Sequence, residues 1–419
     1  MRTKPFICYR PAPEKAAGFA SLPYDVYTRE SAAKAVAERP KSFLAIDRAE
    51  TAFGPDQDMH APEVYAKAAS ILSDRVMDAT LVRDGTPCYY LYRLDDGAHQ
   101  QTGIVAACAI DDYETGVIKR HELTRPADEK DRVDHITATG CQTGPVFLAY
   151  RDNEVLSTIV GAAMGSTPLY DFTDAEGTHE TVWRVAREAA IGALQAMLEL
   201  VPSAYIADGH HRAAAAAAVR KNMIAEGKIA GDGTAEADYV LAVLFPESQL
   251  NTLPYDRVVS DLGGMSPEEF LSAIKDHGFV AGEPSSAAVR PSEPGHFGLY
   301  LDGAWRELSF VGKCGESAVS KLDVSILQEN LLSPVLGIAD PREDPRIGFV
   351  GGHDDAADLE ALVPEGGLAL AMRATPVSDM MAVADEGGIM PPKSTWFEPK
   401  LRSGLFIRPI GVAAEKQTD

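Results

Sequence analysis

The stretch with the most chemistry in it is Tyr205-Ile206-Ala207-Asp208-Gly209-His210-His211-Arg212, followed by six alanines. An apolar run meets a glycine and passes directly into a helix-forming run. Glycine lets backbone approach a ligand closely. The first N–H groups of a helix and the positive end of its dipole favour an anion. Arg212 adds a two-pronged fork that suits phosphate. Asp208, Gly209, His210, His211 and Arg212 are therefore candidate phosphate-binding residues. The alternative is a polar cap with solvated histidines.

A second stretch, Gly116 to Thr124, carries Lys119, Arg120, His121 and Glu122, with Arg125 next and Arg132 beyond. One carboxylate among several cations reads as a local positive pocket. Glu122 there suits a general base or a metal ligand. A surface salt-bridge cluster is the competing reading, since such pairs are common and weak. A third stretch, Met390 to Lys400, holds Lys393, Ser394 and Thr395. These imitate the end of a P-loop without its glycine-rich half, so they offer a lysine and hydroxyls to a phosphate but no Walker A motif. A proline-rich loop packing Trp396 and Phe397 explains the same residues.

These motifs need elements to position them. The pattern predicts helices from Glu30 to Arg39, from Pro62 toward Asp78, from Pro126 through about Ile136, and from Arg187 to Leu200. It predicts strands at Cys88–Leu94, Gly103–Ile110, Val146–Ala149, Tyr205–Ala207, Tyr239–Phe245 and Leu368–Met372, with Asp96-Gly97 turning a hairpin. Residues 151–185, with the turn cluster Asp174 to Gly177, read as an insertion. Ser266 to Glu269 reads as a capping box. Residues 390–410 read as irregular. The expected organisation is an N-terminal α/β region over 1–115, an α/β core over 116–260, and a C-terminal α/β region over 261–419.

The chain has 419 residues, 62 acidic against 39 basic, and a net charge of −23. That field repels phosphate backbones, so neither nucleic acid nor an anionic membrane is an expected partner. No stretch approaches the ~20 apolar residues of a membrane span, and the N-terminus has no signal-peptide pattern. The five cysteines are scattered and odd in number, which reads as buried free thiols in a reducing cytoplasm.

The chain resembles the bacterial domain-of-unknown-function family 1015. Carrying residues are Pro23-Tyr24-Asp25-Val26, Ser42-Phe43-Leu44, Gly116 to Thr124 with Asp131-Arg132, Ala207 to Arg212, and Met390 to Lys400 with Gly404-Leu405. The resemblance implies a ParB/sulfiredoxin-like core, with the segment near 151–195 inserted and the flanking regions as α/β extensions. By resemblance to free serine kinases of that fold, Glu122 of His121-Glu122 is the base, and Asp208 through Arg212 hold nucleotide phosphates. Lys119, Arg120 and Arg132 support them. The implied cofactors are ATP or ADP with Mg²⁺, and the implied substrate is an amino acid, first of all free L-serine. Sulfiredoxins need a cysteine where His210 stands. The alternatives are a nucleotide-binding regulator without transfer and a ParB-like DNA-partition protein, for which no helix-turn-helix is seen.

Overall fold

The computed structural model describes residues 1–352 and 355–411. Its chain is mixed α/β and divides into two compact units. The first holds Met1–Lys119, Leu123–Leu250 and the segment from Pro399 onward, and the second holds Arg120–Glu122 and Asn251–Glu398.

A nine-stranded mixed sheet organises the first unit. Its order is Ile118–Lys119, Ala204–Asp208, Val146–Tyr150, Tyr239–Pro246, Gln100–Ala109, Tyr89–Asp95, His179–Val185 and Tyr170–Thr173, with Thr3–Lys4 added beside Gln100–Ala109. Alternate residues point to opposite faces of a strand. One face presents Leu91, Ile104, Leu148, Ile206 and Leu244 to the helices Glu154–Ala163 and Glu188–Glu199, which bury Leu156, Val160, Leu194 and Leu198 against it. The other face is aromatic. Phe147 and Phe245 lie 4.7 Å apart, and Tyr90 and Tyr92 pack on Phe406 at 5.1 and 5.6 Å. A sheet covered on both faces reads as unbroken apolar runs, which is why Tyr89–Tyr92 and Val240–Phe245 carry so little polar residue.

The helices follow their local signals. Pro126 opens the helix Pro126–Thr139, and Gly140 in the left-handed region ends it. The helix His210–Ala225 buries Ala213 and Ala216 toward the sheet and Ala215 toward Ile136 of the neighbouring helix. Only a side chain as short as alanine fits on both sides at once.

Residues 151–185 form a helix and a hairpin, and one expectation, on the cysteines, changes. Strand His179–Val185 pairs with Tyr89–Asp95, and the turn cluster at 174–177 is the hairpin's tip. The charged Glu180 and Arg184 interrupt its apolar alternation and mask it in sequence. Cys8, Cys88, Cys108 and Cys141 are buried free thiols, but Cys314 is exposed, because it lies in a polar, glycine-rich loop beyond the strand Ala304–Phe310.

The second unit has a six-stranded antiparallel sheet, ordered Phe279–Ala281, Ala304–Phe310, His296–Leu301, Leu368–Ala371, Tyr255–Val259 and Ile347–Gly351. Trp305, Leu359, Ala369 and Ala371 form its core. The capping box closes as expected, with Glu269 N–H donating to Ser266 Oγ at 3.2 Å and Ser266 N–H to Glu269 Oε2 at 2.8 Å. No helix of the described residues is long and apolar enough to cross a membrane.

The segment after Pro399 runs back along the first unit and is pinned by ions. Arg402 pairs with Asp174, with Glu176 at 3.4 Å and with Glu180 at 3.3 Å. Burial pushes the Glu180 carboxyl up to about 8 against the pull of Arg402. The folded chain therefore holds this proton more tightly than the unfolded chain, whose carboxyl titrates near the ordinary 4.5. Wherever the folded state binds more protons, stability falls as pH rises. Glu180 should thus contribute a loss of stability from about pH 4.5 to about pH 8, and Glu180→Gln should flatten that part of the profile. Denaturant midpoints across this range check it. An unchanged slope in the variant contradicts it.

Candidate functional site

The strand Ala204–Asp208 turns into the helix His210–Ala225 through one residue, Gly209, at φ +92°. An L side chain is strained there, and a Cβ would also sit 3.4 Å from the Val146 backbone. The Gly209 N–H donates to Asp208 Oδ1 at 2.8 Å, and the other carboxylate oxygen lies 3.6 Å from Lys400 Nζ. Burial alone would raise the Asp208 carboxyl. Lys400, then Arg212 and the Gly209 N–H, outweigh it and hold the carboxyl below its usual range.

Arg212 sits in the first turn and is only 9% exposed. Its Nη1 donates to the Pro145 carbonyl at 2.9 Å. Its Nη2 lies 3.8 Å from Asp25 Oδ1 and has no hydrogen-bond partner among the described residues. A Cβ on Gly144 would approach Arg212 Nε to 3.4 Å, so the missing side chain makes room for the guanidinium. Burial works against its charge, but Asp25 and Asp208 prevail and its pKa is raised. A buried charged donor left short of one acceptor costs about 1–3 kcal/mol, which an anion at this nitrogen recovers.

Arg132 is the contrasting case. Its Nη1 donates to Asp47 at 2.8 Å, and its Nη2 and Nε donate to Asp131 at 2.6 and 2.9 Å. Two carboxylates saturate it, and Asp131 is held in turn by Tyr65 Oη at 2.8 Å. The guanidinium lies 3.9 Å from the Tyr24 ring centroid, and that of Arg212 lies 5.9 Å from the same ring. Arg132 is thus a positioning residue that fixes Tyr24 beside Arg212. The recess between them, lined by Tyr24, Arg132, Thr143, Gly144 and Arg212, has a volume of about 30 Å³. That admits one or two waters, so the recess anchors Arg212 and does not itself hold a nucleotide.

His211 is committed elsewhere. Its Nε2 accepts from the Arg125 N–H at 3.0 Å and lies 3.5 Å from Asp128. Burial lowers its pKa despite Asp128, so the neutral ring carries its proton on Nδ1 and ties the starts of two helices together. His210 is buried. Lys119 stands on the edge strand, 5.8 Å from the Tyr205 ring centroid, and Arg125 is exposed and pairs with Asp128 at 2.6 Å. Within the first unit, Lys119, Arg125 and Arg132 therefore face three different partners.

The remaining candidates lie in the second unit. Arg120 is exposed, Glu122 is half-buried, and the buried His121 accepts the Met390 N–H on its carbonyl at 2.8 Å. Lys393 has φ +58°, its carbonyl accepts from Arg257 at 3.1 Å, and its ammonium lies 5.7 Å from the Tyr255 ring. Ser394 is buried and donates to the Pro391 carbonyl at 2.6 Å, and Thr395 is half-buried. The residues that sequence reasoning did not place at the turn are Tyr24, Asp25, Gly144 and Lys400. Their types carry no special signal, and only the fold brings them to Arg212 and Asp208.

A family model, Protein of unknown function (DUF1015), matches residues 3–325. The chain belongs to this family. The search of curated proteins found no match. Solved structures similar to this DUF1015 chain include a free serine kinase in complex with AMP, at 13% identity and TM-score 0.38, covering 74% of this chain and 92% of that one. A conserved hypothetical protein from Pyrococcus furiosus matches at 14% identity and TM-score 0.35, covering 73% and 95%. SbnI with a C-terminal truncation, from Staphylococcus aureus, matches at 10% identity and TM-score 0.38, covering 75% and 90%.

The two arginine environments of this DUF1015 chain predict unequal costs. Asp47→Ala strips a carboxylate from the buried Arg132 and should cost about 3–5 kcal/mol, the usual penalty for leaving a buried charge short of its partner. Asp128→Ala removes the partner of an exposed arginine and should cost less than about 1 kcal/mol. Chemical denaturation of both variants checks this, and equal losses contradict it.

Proposed function

We propose that this protein is a nucleotide-dependent phosphotransferase that passes a phosphoryl group to the hydroxyl of a small molecule, with free L-serine as the first candidate acceptor and ATP or ADP as donor. The observation that carries the reading is the buried, charged Arg212, whose Nη2 has no hydrogen-bond partner among the described residues, at the start of a 16-residue helix entered through Gly209. Phosphoryl transfer asks for little beyond positioning and charge neutralisation. A guanidinium fixed by Pro145, Gly144 and Tyr24 supplies both without reorganising.

Asp208 is ionised at neutral pH, and its second oxygen lies 3.6 Å from the Lys400 ammonium, with Arg212 and His210 acting on the same carboxylate. Such a carboxylate fits Mg²⁺, which takes one or two carboxylates and draws its other ligands from phosphates and water. When bound, the ion neutralises charge shared between phosphates. Lys400 is then a candidate partner for the phosphate oxygens. Glu122 is the candidate base on the strength of the His121-Glu122 motif, and Lys393, Ser394 and Thr395 are candidate phosphate contacts on motif grounds alone. In this reading residues 116–260 are a ParB/sulfiredoxin-like core with α/β extensions on either side, and the four buried free thiols suit a reducing cytoplasm.

The test pairs two variants. Arg212→Ala should lose ADP binding and turnover together. Glu122→Gln should keep ADP binding and lower transfer by about 10²–10⁴-fold, the usual worth of a positioned base. Calorimetry with ADP, together with detection of a phosphorylated amino acid from a panel incubated with labelled nucleotide, reads both. Binding with no phosphorylated product would replace the transferase with a nucleotide-binding regulator. Near-normal turnover of Glu122→Gln would remove the base assignment.

A further inference from the structure

The first unit contains a second cavity, much larger than the recess behind Arg212. Its volume is about 270 Å³, and its lining includes Arg93, Thr102, Tyr150, Ser157, Met164 and Gln249. The strand register separates it from the turn. Phe147 pairs with Asp208 at one end of the strand Val146–Tyr150, and Tyr150 pairs with Ala204 at the other. At about 3.3 Å per residue, the two ends lie about 10 Å apart along that strand.

Two of the polar groups in this cavity, Arg93 and Gln249, are held in place by their neighbours. Arg93 is the one charged residue in the lining. Its Nε donates to Thr102 Oγ1 at 3.2 Å, its Nη2 lies 3.0 Å from Met164 Sδ, and its guanidinium stacks 5.1 Å from the Trp183 ring centroid. These contacts hold the planar fork in place. Gln249 is clamped at both ends, because its side-chain carbonyl accepts the Thr102 N–H at 2.8 Å and its backbone carbonyl meets His99 Nε2 at 2.7 Å. That clamp leaves the amide nitrogen as the donor. Tyr150 is 2% exposed and its hydroxyl makes no hydrogen bond among the described residues, yet it lines the cavity. The ring is buried while the hydroxyl faces the cavity, where a ligand acceptor would meet it. Burial also raises its pKa, so it remains a donor at any physiological pH.

The lining holds a second amide, Gln100, whose nitrogen is committed to Asp95 Oδ2 at 2.8 Å. From one guanidinium, one phenol, the Gln249 amide and the Ser157 hydroxyl, with no carboxylate in the lining, we infer that this cavity binds a small organic carboxylate. The guanidinium and the phenol take the carboxylate oxygens, and Val160, Met164 and Pro246 cover the short carbon body. The volume sits just below the usual range for small-molecule pockets of about 300–1,000 Å³, which limits the ligand to a compact acid and excludes a nucleotide. This inference is independent of phosphoryl transfer at Arg212.

Calorimetric titration of the full chain with L-lactate, L-malate and 2-oxoglutarate tests it, with lactamide as the uncharged control. At least one acid should bind with a Kd below about 1 mM, and lactamide should not bind. Arg93→Met and Tyr150→Phe should each weaken binding about tenfold or more, the scale of a hydrogen bond to a charged group. Arg212→Ala should leave it unchanged. Arg93 also packs on Trp183, so Tyr150→Phe, which removes a single oxygen, serves as the test even where Arg93→Met fails to fold. The inference is overturned if none of the acids binds in that range, if Tyr150→Phe binds as the parent does, or if binding is lost in Arg212→Ala.

Discussion

A guanidinium buried where a strand becomes a helix is costly, and much of the first unit is arranged around keeping Arg212 charged. Burial opposes the charge, while Asp25 and Asp208 restore it. Two residues that lack side chains make the space: Gly144, which a Cβ would bring against Nε, and Gly209, whose left-handed backbone turns the strand directly into the helix. Pro145 spends its carbonyl on Nη1. Asp208, drawn down by Lys400, closes the circuit on the other side.

The anion site proposed at Arg212 would rest on that arrangement in a chain carrying a net charge of −23. Long-range repulsion is screened within roughly a Debye length of about 8–10 Å, so binding is decided by the immediate neighbours. Arg132, Arg402 and Arg220 each face two or more carboxylates. Arg212 has one ion-pair contact, Asp25 at 3.8 Å, with Asp208 acting from further off, and its Nη2 has no hydrogen-bond partner among the described residues. The proposal that Arg212 binds where the other three are structural rests on that local balance, which is invisible in overall composition.

The strands, the Gly209 turn, the Pro126 helix start and the Ser266 capping box were legible because each is dictated within a few residues: an apolar run, a residue that tolerates positive φ, a missing N–H, a reciprocal cap. The partners of the charged residues were not. Arg125 and Arg132 look alike in sequence, yet one is exposed beside Asp128 and the other is locked between Asp47 and Asp131. Which carboxylate an arginine meets is set by how distant segments pack. Tyr24, Asp25 and Lys400 reach the turn from opposite ends of the chain for the same reason. The hairpin at 170–185 was hidden because Glu180 occupies an inward position that a sheet ordinarily gives to an apolar residue, where burial favours its protonated form beside Arg402.

The central claim is that the turn from Asp208 to Arg212 receives a tetrahedral oxyanion. The most direct measurement is crystallography on crystals of the full chain soaked in tungstate, located by the anomalous signal of tungsten. The account predicts a peak at the start of the helix His210–Ala225, within hydrogen-bond reach of Arg212 Nη2. Ordered tungstate elsewhere on the molecule, with none at Arg212, would contradict it.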